Sequence, residues 1–105
     1  MNRSESEISK EIQDYLKLMG FIYWRNQSGQ LRVKGGYMHF GINGLADYTV
    51  MLPSCHLYIE VKTLTGKQRD AQEAFELSCC MNDHYYMVAR CVADVRAKLK
   101  EIGVI

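Results

Sequence analysis

Ile8, Ile12, Leu16 and Met19 recur at three-to-four spacing, with Ser4 or Ser6 placed to cap a helix and Gly20 placed to stop one. The pattern predicts an amphipathic helix of about four turns. Residues 21–26, FIYWRN, follow at once, and their aromatic and β-branched character predicts a strand in which Tyr23 and Trp24 are core residues. The periodicity then fades. Across residues 28–44 five glycines, Gly29, Gly35, Gly36, Gly41 and Gly44, interrupt the chain, so a long loop or an irregular hairpin is expected. Long loops in small domains usually carry function. Residues 47–52, DYTVML, and 57–62, LYIEVK, are β-rich runs on either side of the turn PSCH and predict a hairpin. Helical spacing returns over residues 67–82, with Ala71, Phe75 and Ser78 or Cys79 on one face. A further strand is expected over residues 84–89, HYYMVA, then a closing helix over residues 92–102, its stripe Val92, Val95, Leu99 and Ile102 ended by Gly103. The predicted order is αβββαβα, an α/β domain with no repeats or linkers.

A length of 105 residues, 48% of them hydrophobic, fits a single domain covering residues 1–105. Thirteen Lys+Arg against twelve Asp+Glu give a net charge of +1, which excludes both a uniformly basic coat and a disordered acidic tail. The charge is unevenly spread, however. Residues 15–46 contain no acid but include Lys17, Arg25, Arg32 and Lys34, so this stretch is the basic patch. No apolar run approaches the roughly 18 residues of a membrane span, and MNRSESEISKEI has no apolar signal-peptide segment. Cys55, Cys79, Cys80 and Cys91 are irregularly spaced. Together these features lead us to expect a cytoplasmic protein with no membrane partner, no disulfides and buried thiols. Cys-x₂₋₄-Cys pairs are absent, so His39, His56 and His84 do not complete a recognisable zinc pattern, and Gly35-Gly36 lacks a P-loop frame.

The chemistry lies in Glu60-Val61-Lys62. The two-residue period of a strand sends Ile59 and Val61 to the core and brings Glu60 and Lys62 out together on the opposite side. Asp47, thirteen residues earlier at the start of the neighbouring strand, falls beside Glu60 if the turn at residues 53–56 sets the register. Two carboxylates and an ammonium would then share one place. Adjacent carboxylates repel unless a cation offsets them, and hard oxygen ligands suit Mg²⁺ or Mn²⁺. Such a centre is suited to phosphodiester hydrolysis, with Lys62 positioning or deprotonating a water. The plain alternative for Glu-x-Lys on a strand is a solvated surface pair contributing about 0–1 kcal/mol.

Gly41 to Asp47 (G-x-x-G-x-x-D), Ile59 to Thr63 (I-E-V-K-T) and Gly66 to Gln72 (G-K-x-x-x-x-Q) together resemble the virus-type replication-repair nuclease domain (VRR-NUC) of the PD-(D/E)xK nucleases. The opening segments ESEISKEIQDYL and G-F-x-x-W-R-N-x-S-G are similar to that family's first helix and strand. The resemblance covers about residues 4 to 90. It implies a restriction-endonuclease-like core with a mixed central sheet flanked by helices. It also implies metal-dependent cleavage of branched DNA, four-way (Holliday) junctions or flaps, in bacterial or bacteriophage replication and repair. Carried over by position, Asp47 and Glu60 would be metal ligands, with the Val61 carbonyl as a further one and Lys62 as the catalytic lysine. Glu5 matches the acid of the first helix, with Glu11 the second choice and Glu7 nearby. Gln72 matches a glutamine whose amide would hold the attacking water or a phosphate; otherwise it is an ordinary exposed helix residue. The family's proline before the aspartate is replaced by Ala46. Single-domain members of the family resemble homodimers, and a symmetric junction needs two active sites. Arg25, Asn26, Ser28, Arg32 and Lys34, with Lys67, are the candidate phosphate contacts. The rival function is a noncatalytic DNA-binding module on the same fold.

Overall fold

The computed structural model describes residues 3–27 and 29–105. Helix α1 (Glu5–Leu18) starts at Ser4, whose hydroxyl accepts from the Glu7 amide while the Glu7 carboxylate accepts from the Ser4 amide. This reciprocal capping box settles the choice between Ser4 and Ser6. The backbone hydrogen bond from Ser4 holds the Glu7 carboxyl below its ordinary value. Ile8, Ile12 and Leu16 form the buried stripe; Met19 lies past the helix end and is exposed.

Strands β1 (Tyr23–Arg25), β4 (Tyr48–Met51), β5 (His56–Val61) and β6 (Tyr85–Ala89) form a mixed sheet in the order β1-β4-β5-β6. The first three are antiparallel in turn, and β6 runs parallel to β5. A parallel neighbour requires a crossover, and helix α2 (Asp70–Met81) supplies it. Helix α3 (Val92–Ile102) closes the chain, with Gly103 in the left-handed conformation (φ 92°) at its end. Between β1 and β4, β2 (Gly29–Val33) and β3 (Gly36–Phe40) pair only with each other. The glycine-rich stretch is therefore a regular hairpin, which adds two strands to the predicted order.

The sheet is covered on both faces. Ile8, Ile12 and Leu16 of α1 and Val95 and Leu99 of α3 pack on Tyr48, Val50, Leu57, Ile59 and Val61. Below the opposite face, Ala46, Cys79 and Tyr86 are buried together with half-buried Tyr58, Phe75 and Val88. This second layer corrects the picture of Glu60 emerging into solvent, because α2 lies over that side of β5. Three further expectations also change. Trp24 is 41% exposed because β1 is the sheet edge, and only Tyr23 leans on the core. Cys79 is buried and Cys55 half-buried, but Cys80 and Cys91 are exposed; none forms a disulfide. Helix α2 begins at Asp70, not at residue 67, because the chain turns at Gly66, whose amide bonds the Thr63 carbonyl. Among the described residues no helix is long and apolar enough to cross a membrane.

Candidate active site

The segment that delivers Asp47 is bent by Gly41 (φ 74°) and Gly44 (φ 80°), both in the left-handed region that favours glycine. Gly44 is required for a second reason. A Cβ there would stand 2.1 Å from the Ala71 carbonyl oxygen, so only glycine lets this loop lie on the first turn of α2. The other side of the loop is clamped by Asn26. Its amide N–H donates to the Asp47 carbonyl at 2.8 Å, its Nδ2 donates to the Ala46 carbonyl at 3.1 Å, and its side chain also bonds the Thr49 hydroxyl. Asp47 then turns one carboxylate oxygen, Oδ2, to the Val61 amide at 2.7 Å.

Tyr48 pairs with Ile59 and Met51 with His56, so the next step of the register sets Asp47 against Glu60. The turn does bring the two acids together. Glu60 is only 4% exposed. Its Oε2 accepts from Gln72 Nε2 at 2.8 Å and lies 3.4 Å from Lys62 Nζ, while its buried Oε1 has no partner. Burial, and then the neighbouring Asp47 charge, push the Glu60 carboxyl up to about 7, against the opposing pull of Lys62. Gln72 is 3% exposed, and its Oε1 accepts from the Arg69 amide at 2.9 Å. It is therefore not an ordinary exposed helix residue. Both ends of its amide are engaged, so it positions the Glu60 carboxylate as well as lining the cleft.

These groups open into a cleft of about 650 Å³ lined by Glu5, Arg25, Asn26, Asp47, Glu60, Lys62, Arg69 and Gln72. Glu5 is the acid of α1 that reaches it. Glu7 is used in the cap, and Glu11 pairs with Arg3. Val61 lines an adjoining cleft beside Glu5, Arg25 and Asp47. Seven of the residues singled out in the sequence thus share one cleft. The others do not: Arg32 and Lys34 are on the hairpin, Lys67 is exposed without lining the cleft, and Ser28 lies outside the described residues. Two arginines escaped notice in the sequence. Arg69 is a wall of the cleft, and Arg90 donates to the carbonyls of Thr63 and Gly66, fixing the turn after Lys62. Arg69 carried one usable signal, a cation just ahead of a predicted helix beside Gln72. Arg90 carried none.

Among the described residues no three His, Cys, Asp or Glu side chains converge as a closed ligand set. That still fits Mg²⁺ or Mn²⁺, since Mg²⁺ in particular is usually held by one or two carboxylates and completed by waters and substrate oxygens. An unpartnered buried oxygen on Glu60, next to a second carboxylate, is a donor set of that kind. Histidine and cysteine do not assemble a softer site: His56 and His84 stack on one another 5.3 Å apart, and His39 is exposed on the hairpin. No known protein-family model matches the chain, and no curated protein matches it either.

Proposed function

We propose that the protein is a divalent-metal-dependent DNA endonuclease with a restriction-endonuclease-like core, selective for branched substrates such as flaps or four-way junctions and acting as a homodimer. The observation that carries the reading is the buried Glu60 carboxylate, with one oxygen unpartnered, set between Asp47 and Lys62 at the floor of an open cleft. A stability role accounts poorly for that arrangement. Isolated buried carboxylate oxygens are costly, and a surface ion pair would leave both groups hydrated.

Asp47 and Glu60 would hold Mg²⁺ or Mn²⁺, with Glu5 and the Val61 carbonyl as the further ligands that the family resemblance implies. The bound ion supplies polarisation of a phosphoryl oxygen and acidification of a water. The chain supplies the rest. Gln72 and Lys62 fix the Glu60 carboxylate from two sides, so its free oxygen has a set direction before substrate arrives. Lys62 is then close enough to orient a water or stabilise charge growing on the phosphate. Arg25 and Arg69, on the cleft walls, are placed to bind the phosphates on either side of the reacting one. Each cleft handles one strand, so symmetric processing of a junction takes two copies.

The test is incubation of the purified protein with labelled linear, flapped and four-way DNA in Mg²⁺, Mn²⁺ or chelator. Metal-dependent product from branched DNA is expected, and Lys62→Ala and Asp47→Asn should each abolish it while leaving the fold intact. Near-normal cleavage by both variants would reject the assignment. Binding with no metal-stimulated product from the unaltered protein would leave only the noncatalytic alternative.

A further inference from the structure

The β2–β3 ribbon stands off the main sheet, its strands paired with each other and packed extensively on no other element among the described residues. Directly paired residues of an antiparallel ribbon share a face. Gln30 with His39, and Arg32 with Tyr37, therefore make a polar face, while Leu31 and Met38 lie on the other. The polar face is the one turned to the body of the protein. Gln30 and His39 line a second cleft together with Asn43 and Arg69. Arg69 also forms a wall of the first cleft, so the two depressions share this cation. That group is exposed and takes part in none of the ion pairs found among the described residues. No acidic residue lines the second cleft, and none occurs anywhere in residues 15–46. A cation-bearing, acid-free groove that runs straight out of a carboxylate-floored cleft is complementary to a polyanion on its way into the site.

We propose that this second cleft is a subsite for the sugar-phosphate backbone of DNA, in which Arg69, Gln30 and His39 hold the strand leading away from the reacting phosphate, and Arg32 and Tyr37, beyond the cleft on the same face of the ribbon, continue its path. It rests on the nuclease reading given above and extends it to the path of the substrate. The contacts are to phosphates, so they fix position without reading sequence. A two-stranded hairpin on which no other element packs extensively among the described residues gains little support from the body of the protein, and DNA laid along its polar face would steady it.

Binding of a labelled flapped duplex is measured by fluorescence anisotropy in chelator, across a series of salt concentrations, for the full chain, Arg69→Ala, the double variant Arg32→Ala/His39→Ala, and Lys100→Ala on α3 as a control. Circular dichroism confirms that each variant folds. Loss of one phosphate contact lowers the slope of log affinity against log salt by about 0.9, so Arg69→Ala and the double variant should each bind severalfold more weakly with a shallower slope. Lys100→Ala should match the unaltered chain. Hydrogen exchange of residues 29–40 should slow when DNA is added. If the unaltered chain binds DNA and both cleft variants keep its affinity and slope, the subsite is rejected and the nuclease reading stands. Weaker binding by the variants together with no metal-dependent cleavage by the unaltered chain would support the subsite and reject catalysis. Failure of the unaltered chain to bind or cut any DNA overturns both.

Discussion

Replacing Glu60 with glutamine should make the metal-free protein more stable at neutral pH, not less. The unfolded chain ionises a glutamate near 4.5, whereas burial and the Asp47 charge raise Glu60 to about 7 in the folded state. Between those values the folded protein holds the proton more tightly than the unfolded chain does. Stability therefore falls as pH rises through the window, and the loss is complete above the folded pKa. A displacement of this size corresponds to about 3 kcal/mol at 1.36 kcal/mol per unit. Glutamine carries no charge, keeps an oxygen for Gln72 Nε2, and loses only the Lys62 contact at 3.4 Å. Urea unfolding in chelator and reductant, from about pH 5 to about pH 8, gives the difference in stability between the two proteins. It should shift by about 2–3 kcal/mol in favour of Glu60→Gln across that range, most steeply around pH 5.5 to 6, midway between the unfolded and folded values. Parallel curves, differing by less than about 1 kcal/mol over the whole range, would show that the Glu60 carboxylate is not strained by its surroundings.

Two further substitutions probe how the site is built. Gly44→Ala places a methyl 2.1 Å from the Ala71 carbonyl at a φ of 80°; it should cost at least about 2 kcal/mol in unfolding measurements and lower cleavage by displacing Asp47. A variant as stable as the parent would mean that the loop does not lie on α2. Gln72→Ala removes the donor to Glu60 Oε2 and the acceptor for the Arg69 amide. It should destabilise the fold by about 1–3 kcal/mol and move the acidic limb of the cleavage pH profile upward, since the carboxylate loses a hydrogen bond to its charged form. An unmoved limb with lower stability would assign Gln72 a purely structural part.

The core of the fold was legible because its signals are periodic. Ile8, Ile12 and Leu16 could face only one way on a helix, and Leu57, Ile59 and Val61 only one way on a strand, so the layer between α1, α3 and the sheet follows directly. What could not be read was the second layer. The apolar residues of α2 that meet the sheet are few, chiefly Phe75 and Cys79, and the opposing face of β5 carries Tyr58 and Glu60. A strand face holding a glutamate reads as solvent-facing until something is known to cover it. The hairpin was obscure for a related reason. Leu31, Val33 and Met38 do share one face of β2–β3, but they stay exposed and belong to neither core cluster, and the glycines around the turn at residues 34–35 break up the alternation along the sequence.

The site itself was legible through register. Once two β-rich runs flank a short turn, the positions that face one another are fixed in pairs, and Asp47 lies one residue beyond the last pair, Tyr48 with Ile59, which brings it next to Glu60. Periodicity gives neither the depth of these two acids nor what lies over them. The depth separates the two meanings of Glu-x-Lys. At the surface, Glu60 and Lys62 would be a hydrated pair of little consequence. Under α2, with Gln72 holding one oxygen and nothing holding the other, the same three letters describe a charge kept at a cost to stability beside a second charge of like sign. Stability alone would favour glutamine or a well-packed apolar side chain at position 60. The acid is accounted for if the charge is later used, and a hard cation arriving with a phosphate is the partner whose chemistry fits two neighbouring carboxylates that line an open cleft.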